Sequence, residues 1–354
     1  MSSEVISPMG GVQLHDEFDR LRDALVAHCY QMTGSYHDAE DVVQETYLRA
    51  VRAVDGFEAR SSLKTWLYRI ATNTCITALN HRSRRVLPAG LGAPTDDPDA
   101  QVFKDESVAW LEPLPDAVLD HSDSDPGEVV VLRESVRLAL VAALQYLPAR
   151  QRAAFLLREV LSWSAAEIAE TLDISVPAVK SLLQRARARL GELDLLDQRL
   201  EAPDLEFERA LLDRYVAAFA AGDADAIRAV IHDDFSLESV PNPVWFKGVN
   251  VCIPFLERHV FAAPGMDFRQ LPTRSNGQPA IASYRRDASG DWRADGLWVL
   301  TIVDGRFSRA IKFHDPGLVT AAGFPVELAS GPIGGAGRIR GRAAFGRAQR
   351  FLLH

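Results

Sequence analysis

Residues 147–190 read LPARQRAAFLLREVLSWSAAEIAETLDISVPAVKSLLQRARARL, and their patterning decides how the rest of the chain is understood. The stretch predicts three helical pieces in series. Pro148 opens the first, at a position where a missing N–H costs no intrahelical hydrogen bond. Ala153, Phe155, Leu156, Val160 and Leu161 give that piece an apolar stripe. Ser164 suits the N-cap of the second piece, and Glu167 three residues on completes a capping box. Ile168, Ala169 and Leu172 form its buried face. After a turn at Asp173-Ile174-Ser175, Ser175 caps the third piece, with Pro177 in its first turn. Val179, Leu182, Leu183, Ala186 and Leu190 then face inward, which leaves Lys180, Ser181, Gln184, Arg185 and Arg187 outside.

Two helices joined by a tight turn, the second with a basic and polar outer face, make a helix-turn-helix. Its final helix fits the DNA major groove, where Arg, Gln and Ser read base edges. An ordinary helical hairpin with a solvated charged face is the plainer alternative. Small Ala165, Ala166 and Ala169, which permit close helix crossing, and the recurrence of Arg185, Arg187 and Arg189 favour DNA. Asp173 stands where such motifs often carry glycine, and Asp tolerates the left-handed backbone better than most residues.

Composition bounds the rest. At 354 residues the chain has room for two or three domains. It holds no apolar run long enough to span a membrane, and its N-terminal residues lack the basic and apolar parts of a signal peptide, so a cytoplasmic location is expected. Cys29, Cys75 and Cys252 are far apart and read as reduced core residues, not as a zinc site or disulfide framework. No metal or cofactor is expected. A net charge of −9 implies that DNA binding is confined to local basic patches.

Residues 12–85 predict a second helical domain. Phe18, Leu21, Leu25, Val26, Cys29 and Tyr30 recur at helical spacing. His37 to Val54 forms an amphipathic helix with Val42, Val43, Tyr47, Leu48 and Val51 on its apolar face and Asp38, Glu40, Asp41 and Glu45 in its first half, where acid suits the helix dipole. A third helix from Leu63 to about Arg82 interleaves Lys64, Trp66, Tyr68 and Arg69 with Asn73 and Asn80, a mixture suited to single-stranded DNA. Trp66 reads as core; Lys64, Arg69, Asn73 and Asn80 read as an exposed functional face.

DAEDVVQETYLRA followed by SSLKTWLYRIATNTCITALNHRSRR resembles region two of the extracytoplasmic-function (group 4) sigma factors of bacterial RNA polymerase, and residues 147–190 resemble their region four. The resemblance covers residues 12 to about 195 and implies two partners, core RNA polymerase and promoter DNA. It implies that Asp38, Asp41, Gln44 and Glu45 dock on a coiled coil of the polymerase largest subunit. The loop carrying Arg60 and Ser61, with Lys64, Arg69, Asn73 and Asn80, would serve the −10 element. Ser175, Lys180, Ser181, Gln184, Arg185 and Arg187 would serve the −35 element.

Residues 86–130 carry eleven acidic residues against one basic, Lys104, and predict a mostly extended acidic linker. The resemblance implies a path through the RNA-exit channel of the polymerase. Trp110, Leu111, Leu114 and Leu119 are apolar enough to anchor it on protein. The DNA-binding module then spans 131–195.

Residues 205–325 are an addition to a minimal sigma factor of this class. An amphipathic helix from Leu205 to Ala221 and a second, ADAIRAVIH, precede a strand Phe235–Val240, the turn Trp245-Phe246-Lys247-Gly248 and a helix containing Pro254. Strand-like runs follow at 268–273, 280–285, 296–303 and 306–314, the last two joined by the hairpin signal Asp304-Gly305. Helices followed by a curled antiparallel sheet imply an α+β cone, and the pattern resembles the SnoaL-like branch of the NTF2-like superfamily. The expected whole is therefore multidomain: two all-α sigma domains, the second containing the helix-turn-helix, plus a C-terminal NTF2-like cone. Residues 326–354 form a Gly- and Arg-rich tail expected to be flexible.

Asp234, Trp245, Tyr284, Trp298 and His314 are the candidate ligand-pocket residues of the cone, with no tight acid/base constellation among them. The reading is a non-catalytic domain, in contact with the sigma domains and regulating them. A sigma factor fused to a catalytic or ligand-binding domain, or a conventional helix-turn-helix regulator, are the alternatives. The second leaves the acidic helix and the aromatic-basic third helix unexplained.

Overall fold

A computed structural model describes residues 11–57, 61–80, 82–119, 134–192, 204–262, 267–287 and 289–328. Arg60, the last part of the predicted linker and the tail beyond residue 328 lie outside these residues.

Three helices form the first unit: α1 (Gly11–Thr33), α2 (Tyr36–Ala53) and α3 (Leu63–Leu79). Ser35 and Ser62 cap α2 and α3 by accepting from Asp38 N and Thr65 N. Leu25, Val26, Cys29, Tyr30, Val43, Leu67 and Cys75 close its core. Leu48 and Val51, expected on the apolar face of α2, are instead 48% and 46% exposed. Thr46 and Ala50 take the inward positions, because the small residues let α2 lie close to its neighbours. Helix α3 stops at Leu79, three residues short of the expected end, with Asn80 extended at its C-cap.

The second unit contains α4 (Leu138–Leu144), α5 (Ala149–Glu159), α6 (Ala165–Leu172) and α7 (Val176–Gly191). The capping box of Ser164 and Glu167 is present, and Ser175 accepts from Ala178 N to start α7. Asp173 takes the left-handed backbone of the turn, at φ 50° and ψ 57°. Val179, Leu183, Ala186 and Leu190 are buried along one face of α7, while Lys180, Ser181, Gln184, Arg185 and Arg187 are exposed along the other.

The third unit opens with α8 (Leu205–Ala221) and the short α9 (Ala224–Arg228). Helix α9 ends before the expected Ile231-His232, which already belong to β1 (Ile231–Val240). Next come β2 (Phe246–Lys247), α10 (Val249–Phe255, continued by a π turn, Leu256–Phe261), β3 (Phe268–Ser275), β4 (Gln278–Arg286), β5 (Trp292–Val303), β6 (Arg306–Phe313), α11 (Pro316–Ala321) and β7 (Glu327–Leu328). The sheet order is β2-β1-β6-β5-β4-β3, with β7 on β5; among the described strands only β1 and β6 pair in parallel. Asp304-Gly305 turns β5 into β6 with both residues at positive φ.

Strand alternation sends the two sheet faces to different cores. Phe235, Leu237, Ile281, Trp298, Leu300 and Ala310 face α8 and α10 inside the cone. Ala282, Tyr284, Leu297, Val299, Ile311 and Phe313 face outward and join one continuous core with α11, the linker and both helical units. The three units therefore share buried surface.

Candidate nucleic-acid interface

The linker passes between the units as an anchored strap. Trp110, Leu111 and Leu114 are buried as expected, and the Leu119 side chain lies outside the described ones. Val86 pairs with Trp110, Thr95 with Phe246 and Pro115 with Ser275. Glu112 accepts from Ser35 Oγ at 2.7 Å and from the His37 backbone at 3.2 Å, and meets His37 Nδ1 at 3.0 Å. That bond raises the His37 pKa above its ordinary value. Burial alone would raise Glu112, but bonds from His37 and Ser35 and the nearby Arg85 bring it below the usual carboxylate range.

The tip of the β3–β4 hairpin, Ser275-Asn276-Gly277, is the junction of the molecule. Asn276 is fully buried. Its Nδ2 donates to Tyr30 Oη of α1 at 2.8 Å and to the Val136 carbonyl ahead of α4 at 2.6 Å. Its Oδ1 accepts from Leu114 N at 2.9 Å. One side chain thus ties the first unit, the strap and the approach to the second unit. The Leu138 N–H donates to Gln278 Oε1 at 3.1 Å beside it. Sequence reading missed Asn276. Its Asn-Gly dipeptide signals a hairpin, and only the packing shows that the asparagine reaches three other elements.

The two helical units also meet directly. Arg152 of α5 is 5% exposed and donates to the Met32, Gln145 and Leu147 carbonyls and to Gln145 Oε1. Gln31 Nε2 donates to Ser135 Oγ at 2.7 Å. On the other side of the seam, Arg69 of α3 pairs with Glu170 of α6 at 2.8 Å, and Asn73 Nδ2 donates to the Thr171 carbonyl at 3.1 Å.

The predicted contact residues fall into distinct settings. Asp41 and Gln44 are exposed on α2, in line with exposed Leu48 and Val51, and Glu45 is half-buried beside Arg49 at 2.7 Å. Asp38 is turned away from them: its Oδ2 receives Arg82 and Arg85, both at 2.6 Å. Burial opposes its charge, yet the two arginines hold its pKa below the usual value. Lys64, Asn73 and Asn80 are exposed and Ser61 is half-buried; Asn73 also donates to α6, and Arg69 is half-buried in its pair with that helix. Trp66, expected in the core, is only half-buried and lies 5.0 Å from the Phe57 ring. On α7, Arg185 Nε donates to the Ser181 carbonyl at 3.3 Å, Arg187 pairs with Glu159 at 2.6 Å, and the Ser175 hydroxyl is used as a cap.

The five candidate pocket residues do not converge. Tyr284 lies on the outer sheet face and donates to the Pro325 carbonyl at 2.7 Å, because strand parity puts it opposite Ile281 and Trp298. Trp245 Nε1 donates to the Gly92 carbonyl of the strap at 2.9 Å, and Asp234 is exposed. His314 Nε2 lies 2.8 Å from Ser239 Oγ, and burial, helped by Lys312, lowers its pKa to about 4. Trp298 alone of the five points into the cone.

Residues 18–85 match the family model described as Sigma-70 region 2, 137–190 match Sigma-70, region 4, and 212–310 match the SnoaL-like domain. Over 309 residues the chain is 47% identical to the ECF RNA polymerase sigma factor SigG of Mycobacterium tuberculosis, covering 87% of this chain and 82% of that protein. The chain belongs to the ECF RNA polymerase sigma factors. The ECF sigma factor SigJ of the same organism is 28% identical over 231 residues, 64% of each chain. The crystal structure of SigJ covers 88% of this sigma factor with a TM-score of 0.57 at 23% identity, a likeness of fold. The first helical unit is thus region 2 of this sigma factor, the helix-turn-helix lies in region 4, and the cone is the SnoaL-like domain.

Proposed function

We propose that this ECF sigma factor carries its own regulator. It binds core RNA polymerase and directs it to promoters, and the SnoaL-like domain holds regions 2 and 4 in an arrangement that must open first. Asn276 carries this reading, because one buried side chain from the C-terminal domain fastens region 2, the strap and the approach to region 4. In that arrangement Arg69 is half-buried and paired with α6, and Asn73, though exposed, spends its side-chain amide on α6, so both compete with the −10 strand, while the outer face of α7 is free to read the −35 duplex. Exposed Asp41, Gln44 and Leu48 on α2 form the polymerase-docking stripe, and Asp38 holds Arg82 and Arg85 in place.

The test is promoter-dependent transcription with core polymerase, comparing the full chain, an Asn276→Ala variant and a chain ending at Asp204. Higher activity from either altered form supports internal inhibition. Loss of activity in both, with the proteins folded, makes the domain a required positive element instead.

A second reading concerns the inside of the cone. Both amide atoms of Gln270, Ser283 Oγ and Trp298 Nε1 are buried without partners on one concave face, beside the Lys312–Asp295 ion pair. Buried polar groups left unpaired are costly, so this face suits a small polar ligand. We read the domain as binding and not catalytic: Asp295 is neutralised by Lys312, and His314 is neutral and spoken for by Ser239.

A further inference from the structure

Between regions 2 and 4 lies a cavity of about 290 Å³. One wall comes from the end of α1, the start of α2 and the chain after α3; the other comes from the α4–α5 turn. Four guanidinium groups line it, those of Arg82, Arg84, Arg85 and Arg152, against the single carboxylate of Asp38. Four positive charges less one negative leave a net +3 in the lining of a chain whose net charge is −9. Glu112, 3.7 Å from Arg85 behind the lining, offsets part of this charge, and the positive balance that remains attracts an anion to the cavity.

The arginines are held, not loose. Arg82 and Arg85 are both paired with Asp38 Oδ2, and Arg85 also donates to the Trp110 carbonyl at 2.7 Å. Arg84 lies over the Tyr146 ring at 4.0 Å and makes no hydrogen bond or ion pair among the described residues, so all its N–H groups are available. Arg152 is 5% exposed, fixed by carbonyl acceptors, and its Nε–H has no partner. Burial lowers its pKa only to about 10, which keeps it charged at neutral pH. Planar guanidinium groups pre-set around one space match the several oxygens of a phosphate chain, and Arg84 on Tyr146 offers a flat surface to a ring beside it.

We propose that this seam cavity is a binding site for a small polyphosphate-bearing molecule, either an inorganic polyphosphate or a nucleoside polyphosphate. The site depends on regions 2 and 4 lying together, not on the regulatory role given to the SnoaL-like domain. Its walls belong to both regions, so an occupant binds the closed arrangement better than an opened one and shifts the population toward it. Occupation and promoter opening therefore oppose one another.

The experiment is calorimetric titration of the full chain with sodium tripolyphosphate, with ATP and with a promoter-length DNA duplex, on the wild type and on Arg84→Glu and Arg209→Glu. Arg84 and Arg209 are both exposed, so neither change disturbs the core. Tripolyphosphate or ATP is expected to bind the wild type at one site per chain. Affinity should fall tenfold or more in Arg84→Glu and stay within twofold in Arg209→Glu. ATP binding more tightly than tripolyphosphate identifies a nucleotide as the occupant; equal affinities identify the phosphate chain alone. The proposal is overturned if neither small molecule binds at millimolar concentration, if both variants lose affinity equally, or if only the duplex depends on Arg84. That last result makes the cluster a DNA contact and nothing more. Closed-state preference is read separately, as slower amide exchange around residues 145–152 on addition of the ligand.

Discussion

Asn73 of region 2 donates its side-chain amide to the Thr171 carbonyl of region 4, 3.1 Å away, and the Arg69–Glu170 pair stands on the same pair of helices. A helix face suited to single-stranded promoter DNA is thus partly covered by the other DNA-binding unit of the same chain. Glu170 is 66% exposed in this pair, so the pair adds little to stability. Glu170→Arg places like charges across the seam. It should leave the melting temperature nearly unchanged, within about 0.5–1 kcal/mol, while raising affinity for a −10 single strand. Fluorescence anisotropy with such a strand measures this; no gain in affinity would mean the seam does not gate that face.

Asn276→Ala removes two donated bonds and two accepted ones, from Leu114 N and from Ser275 Oγ, at a fully buried site. The Leu114 N–H and the Val136 carbonyl are then left without that partner, and such losses cost about 1–3 kcal/mol for each buried group. A destabilisation of about 2–4 kcal/mol is expected, with the transition losing cooperativity as the units part. Chemical denaturation followed by near-ultraviolet circular dichroism reads both effects.

His37 joins region 2 to Glu112 of the strap at 3.0 Å and lies 3.9 Å from Asp315 of the C-terminal domain, with Arg85 facing Glu112 from the other side at 3.7 Å. Its pKa is raised by the Glu112 bond, with Asp315 and Asp41 adding to it. A raised histidine stabilises fully below its unfolded value, about 6.5, and that contribution fades as pH climbs through the folded value. Glu112 is lowered, so its share is present above its unfolded value, about 4.3, and is lost as pH falls through the folded one. The melting-temperature advantage of wild type over His37→Gln should be largest between these limits and shrink above neutrality. An advantage that does not change from pH 6 to pH 9, roughly the span of histidine titration, would rule the ionised pair out.

Gln184→Ala and Arg185→Ala act on exposed positions of α7. Each should weaken −35 duplex binding by about 1–3 kcal/mol, preferentially on the matching sequence. Stability should change by no more than about 0.5 kcal/mol. Electrophoretic shifts on matched and mismatched duplexes distinguish base reading from a general phosphate contact, which would weaken both alike.

Local chemistry wrote much of this molecule into its sequence. Ser164 with Glu167, Ser175 with Pro177, and Asp173 in the left-handed turn set the helix-turn-helix, because capping and backbone preference act within a few residues. Leu205–Ala221 matches its expected bounds for the same reason, and the Asp304-Gly305 turn occurs where the dipeptide allows positive φ. Tertiary structure decided where faces meet. Leu48 and Val51 fit an apolar stripe by period but lie outward, since Thr46 and Ala50 give the closer approach. Tyr284 and Trp298 looked like neighbours in one pocket, yet strand parity divides them between two cores. Asp38, Arg69, Asn73 and Asn276 carry no local sign of their partners, which lie from 44 to 246 residues away in the chain. Periodicity tells a side chain which face it occupies; only the packing of one unit on another tells it what that face will touch.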